Sequence, residues 1–277
     1  MTPRPPWSKR QTSESIKEFF VLREGVPDGL RNSLLGVFDE YFIRGGFIDL
    51  ERTEHLARLT GRALPQYSVD LRALVWKDQE LLLDAIDHLL QYPGGDPTES
   101  RRLLERVVSY LSDARSVYDV VPLDRWKCEL GWRQPQELTE IIAEVTSARS
   151  RASDHLRRAW SLAFARRPDP SAACIEAAKA VEASARATIE PNNPRATLGT
   201  MLKVVEAKPE KWTTVFESSD AGSLETVISM MRMMWKGHLR HGNPEEPIDV
   251  STEQCEMIVH TAALLVHWFG SERIKTV

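Results

Sequence analysis

Two arginines and two histidines fall between Met231 and Gly242: Arg232, His238, Arg240 and His241. A guanidinium neutralises a phosphodiester at any physiological pH, and an imidazole takes up or releases a proton near neutrality. Together these groups supply what metal-free cleavage of RNA requires. Arg232 and His238 have five residues between them, whereas Arg240 and His241 are adjacent. Met230, Met231, Met234 and Trp235 form an apolar stripe, so the segment before the cluster reads as a packed helix. Gly237 offers that helix a stop, which would leave His238, Arg240 and His241 in a turn bounded by Gly242-Asn243-Pro244. The plainer reading is that these cations complement the dipole and free carbonyls of a helix C-terminus.

The elements that position the cluster are helical, and the fold class expected is all-α in two parts. Leu30, Leu34, Leu35, Val37 and Phe38 recur at helical spacing after the turn Pro27-Asp28-Gly29, and Gly45-Gly46 closes that segment. Further helical patterns cover Asp49 to Leu59, Val69 to Leu90, and a segment capped by Thr98 that runs to about Leu111. Val117 to Arg133 is rich in strand formers, with Tyr118, Val120, Val121, Trp126 and Trp132 punctuated by Pro122 and Gly131, and predicts a short hairpin.

Beyond Pro135 the pattern predicts one long helix over 137–166 and an alanine-rich helix over 171–189. Three more follow: one capped by Thr197 and running to Ala207, one over 224–235, and one over 252–269 with Ser251 and Gln254 in capping-box spacing. The expected organisation is an N-terminal helical domain at 1–116, a connector at 117–136 that carries the hairpin, and a four-to-five-helix bundle at 137–277.

Composition sets limits on the partners. At 277 residues, 42% hydrophobic and 27% charged, the chain has the profile of a soluble globular protein. No apolar run approaches the roughly 20 residues needed to span a bilayer, and the prolyl start lacks the apolar core of a secretory signal. The expectation is a cytoplasmic protein without a membrane partner. Cys128, Cys174 and Cys255 stand singly and read as small buried hydrophobes rather than metal ligands. The formal net charge is −4, yet residues 145–242 hold 15 Lys/Arg against 10 Asp/Glu. A basic stretch in an acidic chain permits a nucleic-acid partner without demanding one.

Within that stretch Lys179 and Arg186 are candidate phosphate contacts, and the arginines at 149, 151, 157, 158, 166 and 167 suggest a surface that tracks RNA. The competing reading is solvated: Lys179 with Glu182 at i,i+3 and Glu182 with Arg186 at i,i+4 would make an ion-pair ladder. His260 and His267 share one helix face at a spacing that suits packing better than zinc, and the tryptophans at 160, 212, 235 and 268 read as core. No P-loop, dinucleotide-binding glycine pattern, Gly-x-Ser-x-Gly or His-Glu-x-x-His occurs, so no cofactor or metal is expected.

Arginine followed by four to six residues and then histidine is the signature of the HEPN superfamily of helical bundles, and Arg232 to His238 resembles it, with Met233 where a polar residue is usual. Many bacterial abortive-infection C-terminal domains of that superfamily instead place His-Gly after the helix, much as His241-Gly242 stands here. Ala159-Trp160, Pro168-Asp169-Pro170-Ser171, Lys179-Ala180-Val181-Glu182-Ala183, Thr197-Leu198-Gly199 and the closing Val259 to Phe269 segment are similar to bacterial proteins of this kind. Leu22 to Pro27, with Leu30-Arg31-Asn32-Ser33-Leu34-Leu35, resembles the start of AbiJ-type N-terminal domains.

The resemblance implies a dimeric, metal-independent endoribonuclease or RNA-binding domain used in antiphage defence. It implies that Arg240 or Arg232 neutralises the scissile phosphate and that His241 or His238 moves the proton. A phage trigger or an antitoxin would be further partners. The alternative within the same resemblance is a non-catalytic helical module for dimerisation or for binding RNA or another partner.

Overall fold

The computed structural model describes residue 12 and residues 21–94, 96–123, 127–147, 150–216, 221–238 and 250–277, with the side chains of 221–222 and 236–238 left aside. It is mainly helical and divides into two compact units, Met1–Arg133 and Gln134–Val277. Among the described residues no helix is long and apolar enough to cross a membrane.

The first unit contains helices α1 (Asp28–Phe42), α2 (Leu50–Thr60), α3 (Ser68–Lys77), α4 (Gln79–Gln91) and α5 (Pro97–Asp113). Strands β1 (Ile43–Arg44) and β2 (Phe47–Ile48) form a tight hairpin in which Gly45 and Gly46 take positive φ. The stripe predicted on α1 is buried, with Leu34, Val37, Phe38 and Phe42 fully enclosed. They pack with α4, where Leu81, Leu82, Leu83, Ala85, Ile86, Leu89 and Leu90 are all buried.

The helix expected across Val69 to Leu90 is two helices, because Asp78 breaks it. Its backbone N–H ends α3 on the carbonyl of Leu74, and its side chain accepts from Leu81 N at 3.0 Å to start α4. Arg62 donates to the same carboxylate at 2.6 Å. That hydrogen bond, with the one from Leu81, holds the Asp78 carboxyl below its ordinary range. Asp78→Ala is expected to lower stability by about 1–2 kcal/mol in urea unfolding, the range for loss of an N-cap. A midpoint matching that of the parent chain would refute the cap assignment.

Asp96 rather than Thr98 caps α5. Its side chain accepts from Thr98 N, and Pro97 occupies the first helical position, where it costs no hydrogen bond.

The hairpin predicted around Val120 exists as β3 (Tyr118–Pro122) antiparallel to β4 (Cys128–Trp132), with Val120 opposite Leu130. It is not a free connector. Strand β4 packs on α4, Leu130 N donates to Asp87 Oδ1 at 2.7 Å, and Tyr118 and Leu130 enter the core. Arg133 fastens the base of the hairpin by donating to the carbonyls of Ser116 and Tyr118. Residues placed in a linker at 117–136 therefore belong largely to the first unit, and the division falls after Arg133.

One polar cluster is sealed into this unit. His88 is 3% exposed, and its Nε2 lies 3.0 Å from His55 Nδ1, with Phe42 and Tyr92 against its ring. Its Nδ1 is buried without a partner. Desolvation, with the nearby His55 and Arg52, pushes the His88 pKa down to about 4.

The second unit contains α6 (Gln136–Ser147), α7 (Arg151–Phe164), α8 (Pro170–Ile189), α9 (Leu198–Ala207), α10 (Ala221–His238) and α11 (Thr252–Gly270). Helix α8 is central and packs against α7, α9, α10 and α11. Ala173, Ala177, Ala178, Ala180 and Ala185 are buried along it, and their small size lets the neighbouring helices approach closely. Trp160 and Phe164 of α7 pack with His260 of α11, the His260 and Phe164 rings stacked with centroids 5.5 Å apart. His260 is thus a core histidine, and burial lowers its pKa.

The single helix expected over 137–166 is again two. Ser150 caps α7 by accepting from Ser153 N at 3.1 Å, while Ser153 Oγ and Arg157 donate to the carbonyls of Val145 and Thr146 near the end of α6. Asp169 caps α8 with Pro170 at its first position, and Thr197–Thr200 and Ser251–Gln254 form the capping boxes of α9 and α11. A third short pairing, β5 (Trp212–Thr214) antiparallel to β6 (Ile274–Thr276), carries too little pattern to be read from sequence.

Candidate functional site

Of the Arg/His cluster, the structure describes the side chain of Arg232 and the backbone of His238. Helix α10 runs through Gly237, so His238 is its last residue rather than part of a following turn. Helical packing of the Met231 and Met234 face carries the backbone past the glycine, whose intrinsic cost is only about 1 kcal/mol. Arg240 and His241 lie outside the described residues. Arg232 is on the outer face of α10, where its Nε donates to Glu206 Oε1 at 2.7 Å and its Nη1 to Glu225 Oε1 at 2.9 Å. Those two hydrogen bonds raise its already high pKa and leave its charge balanced by carboxylates. To hold a phosphate, Arg232 would first have to release both.

Lys179 and Arg186 are brought together. They line a pocket of about 420 Å³ with Arg151 and His155, at the N-terminus of α7 and along one side of α8. Helix α7 is 14 residues long, and its first turn contributes Ser150, Arg151 and Ala152 to the wall. The wall carries three cations and one carboxylate, Glu182, and Lys179 is already paired with Glu176, so it is Arg151 and Arg186, with the helix N-terminus, that favour an anion. Arg151 and Arg186 are exposed and have no ion-pair partner among the described residues.

The ladder of Lys179, Glu182 and Arg186 does not form. Lys179 Nζ instead donates to Glu176 Oε1 at 2.7 Å. Glu182 turns to the neighbouring helix, where its Oε1 accepts from Leu198 N at 2.7 Å and satisfies a donor at the start of α9. Burial raises the Glu182 pKa, partly offset by that hydrogen bond and by the charges of Lys179 and His155.

Beneath the cations sits a pair that spacing does not reveal. His155 Nδ1 lies 2.7 Å from Glu176 Oε2, across the α7–α8 helix hairpin. Burial opposes ionisation of Glu176, but the hydrogen bonds and charges of Lys179 and His155 outweigh it and hold the carboxyl below its usual range. An ionised Glu176 can only accept, so it takes the Nδ1–H of His155 and turns Nε2 away from itself. The pocket therefore joins cations suited to a phosphate with an imidazole whose tautomer is set.

Of the six arginines proposed to track RNA, Arg151 lines this pocket. Arg157 is committed to Asp154 at 3.0 Å and to the Thr146 carbonyl, while Arg149 lies outside the described residues. Comparison with models of known families, with curated proteins and with solved structures finds no match.

Proposed function

We propose that this chain is an antiphage, abortive-infection effector whose second unit is a HEPN-like bundle that binds RNA and cleaves it by metal-independent acid/base chemistry. The observation that carries this reading is the pocket in which Arg151, Lys179 and Arg186 surround His155. Its cations suit a phosphodiester. The resemblance of residues 150–270 to abortive-infection domains supports the same reading. In it, Arg240 neutralises the scissile phosphate and His241 transfers a proton, with Arg232 and His238 as the alternative pair. The first unit, AbiJ-like in its opening residues, would sense a phage trigger or restrain the bundle until an antitoxin is lost. The protein would act in the cytoplasm.

A non-catalytic reading has its own observation. Ile175 on α8 and Met257 and Leu264 on α11 are exposed apolar side chains of the second unit, suited to pairing two copies. In that case the bundle would bind RNA or a partner as a homodimer without cleaving.

Binding of a fluorescent single-stranded RNA, followed by anisotropy across a salt series, tests the shared premise. Lys179→Ala with Arg186→Ala is expected to weaken binding about 10-fold or more at low salt, and to reduce the salt slope by about one for each phosphate no longer neutralised. RNA binding that is undetectable at low salt in the parent protein would overturn the function. Incubation of total RNA in excess EDTA, with Arg240→Ala and His241→Ala alongside, separates the two readings: cleavage abolished by either variant favours the nuclease, and binding without cleavage favours the module.

A further inference from the structure

We propose that His155, held by Glu176, is a proton-transfer group that acts on a phosphodiester bound in the α7–α8 pocket. This rests on reading the second unit as an RNA-binding bundle. It assigns the proton transfer to a histidine outside the Arg/His cluster, in place of His241 or His238.

Four features of the geometry support it. His155 lines the same cavity as Arg151, Lys179 and Arg186, so a phosphate drawn in by those cations arrives beside an imidazole. The Nδ1···Oε2 distance of 2.7 Å to Glu176 fixes the ring and its tautomer. Both Glu176 oxygens are engaged, since Lys179 donates to Oε1 while His155 occupies Oε2, so the carboxylate cannot swing away from the imidazole. With a side chain 13% exposed, Glu176 is sheltered, whereas that of His155 at 29% remains open to a ligand. An exposed surface histidine would have neither the sheltered carboxylate nor the surrounding cations.

The step balances without an added reactant. Nε2 of neutral His155 takes the proton of a ribose 2′-hydroxyl, and the 2′-oxygen forms a bond to phosphorus. The bond from phosphorus to the 5′-oxygen breaks, and the leaving oxygen takes a proton from water. The hydroxide so formed is neutralised by the imidazolium, which restores His155. Arg151, Lys179 and Arg186 offset the charge that gathers on the non-bridging oxygens. The products are a 2′,3′-cyclic phosphate and a 5′-hydroxyl. Glu176 is a positioning residue: it holds the ring of His155, as a carboxylate does for a catalytic imidazole elsewhere.

The test uses the full chain and a labelled RNA oligonucleotide of mixed sequence in excess EDTA. Binding is read by anisotropy and single-turnover cleavage by gel, across pH 5.5–8.5. His155→Ala is expected to lower the cleavage rate about 100-fold or more, the usual contribution of a positioned acid or base, with the Kd changed less than about 3-fold. His155→Gln preserves the shape of the side chain and is expected to do the same. Glu176→Gln is expected to reduce the rate about 10-fold and to displace the rising limb of the pH profile, which a residue needed only for folding would not move. An oligonucleotide with 2′-O-methyl groups throughout should bind and resist cleavage.

Parent-level cleavage in both His155 variants would overturn the assignment and leave the RNA reading standing. Parent protein that binds RNA without cleaving it would overturn the assignment in favour of the binding module. Parent protein that neither binds nor cleaves would remove the RNA reading and this inference with it.

Discussion

His88→Gln is expected to flatten the acid limb of the stability profile. His88 is 3% exposed and its pKa is pushed down to about 4, against an ordinary value of 6.5. Above pH 6.5 His88 is neutral whether the chain is folded or not, and its contribution to stability is complete. Between pH 6.5 and 4 the unfolded chain binds a proton that the folded chain refuses, so stability falls as pH falls. Below about pH 4 both states are protonated and the loss is finished. The difference in pKa corresponds to a loss of about 3 kcal/mol across that window.

The groups facing His88 make the refusal firm. His55 Nδ1 is 3.0 Å from Nε2, the rings of Phe42 and Tyr92 cover the imidazole, and the nearby Arg52 repels a second positive charge. Glutamine keeps a hydrogen-bonding group at the position and removes the titration. Urea midpoints of parent and variant should be compared at pH 7.5, 6 and 4.5. Taking the difference between the two chains cancels the contribution of His260, whose pKa burial also lowers. The parent should lose stability more steeply than the variant between pH 6 and 4.5; parallel curves would show that His88 is not the group responsible.

How far the sequence discloses this molecule depends on the range of the interaction concerned. The caps at Thr197 and Ser251 are legible because each is a contact among neighbours along the chain. The breaks at Asp78 and Ser150 are not, since apolar periodicity continues through both and only the backbone hydrogen bonds show which residue ends one helix and starts the next. Helix and hairpin types survive this uncertainty because burial, not boundary, decides them.

The candidate site is less legible. Lys179 and Arg186 stand out as cations in the basic stretch of the chain. Their surroundings depend on which carboxylate each partner takes. Spacing pairs Lys179 with Glu182 and Glu176 equally well. The N-terminus of α9 decides between them by capturing Glu182 through Leu198 N. His155 meets Glu176 only once α7 folds back on α8. No periodic pattern announces a pair made across a helix hairpin, so the imidazole of the pocket emerges from the fold alone.

Gly199→Ala is expected to destabilise the second unit by about 2 kcal/mol, although it replaces glycine in a helix. The substitution alone would gain about 1 kcal/mol from helix propensity. A Cβ at Gly199, however, would lie 2.5 Å from Cη2 and 2.6 Å from Cζ2 of Trp235. Three atoms of the indole's six-membered ring occupy the space a methyl group needs, so α9 and α10 must part or the indole must leave its rotamer. Removing the ring should reverse the sign: in a Trp235→Leu background, Gly199→Ala should become neutral or stabilising. A double-mutant cycle in urea reads that coupling directly, and additive effects would show that the two residues do not press on each other. Trp235 stands three residues before His238, at the end of the helix that leads into Arg240 and His241. The glycine seam thus sets where that helix end lies on α9. If those residues carry the reaction, Gly199→Ala should also lower RNA cleavage at temperatures where the variant remains folded, and Trp235→Leu should not restore it, because the seam that fixes the helix end is then empty.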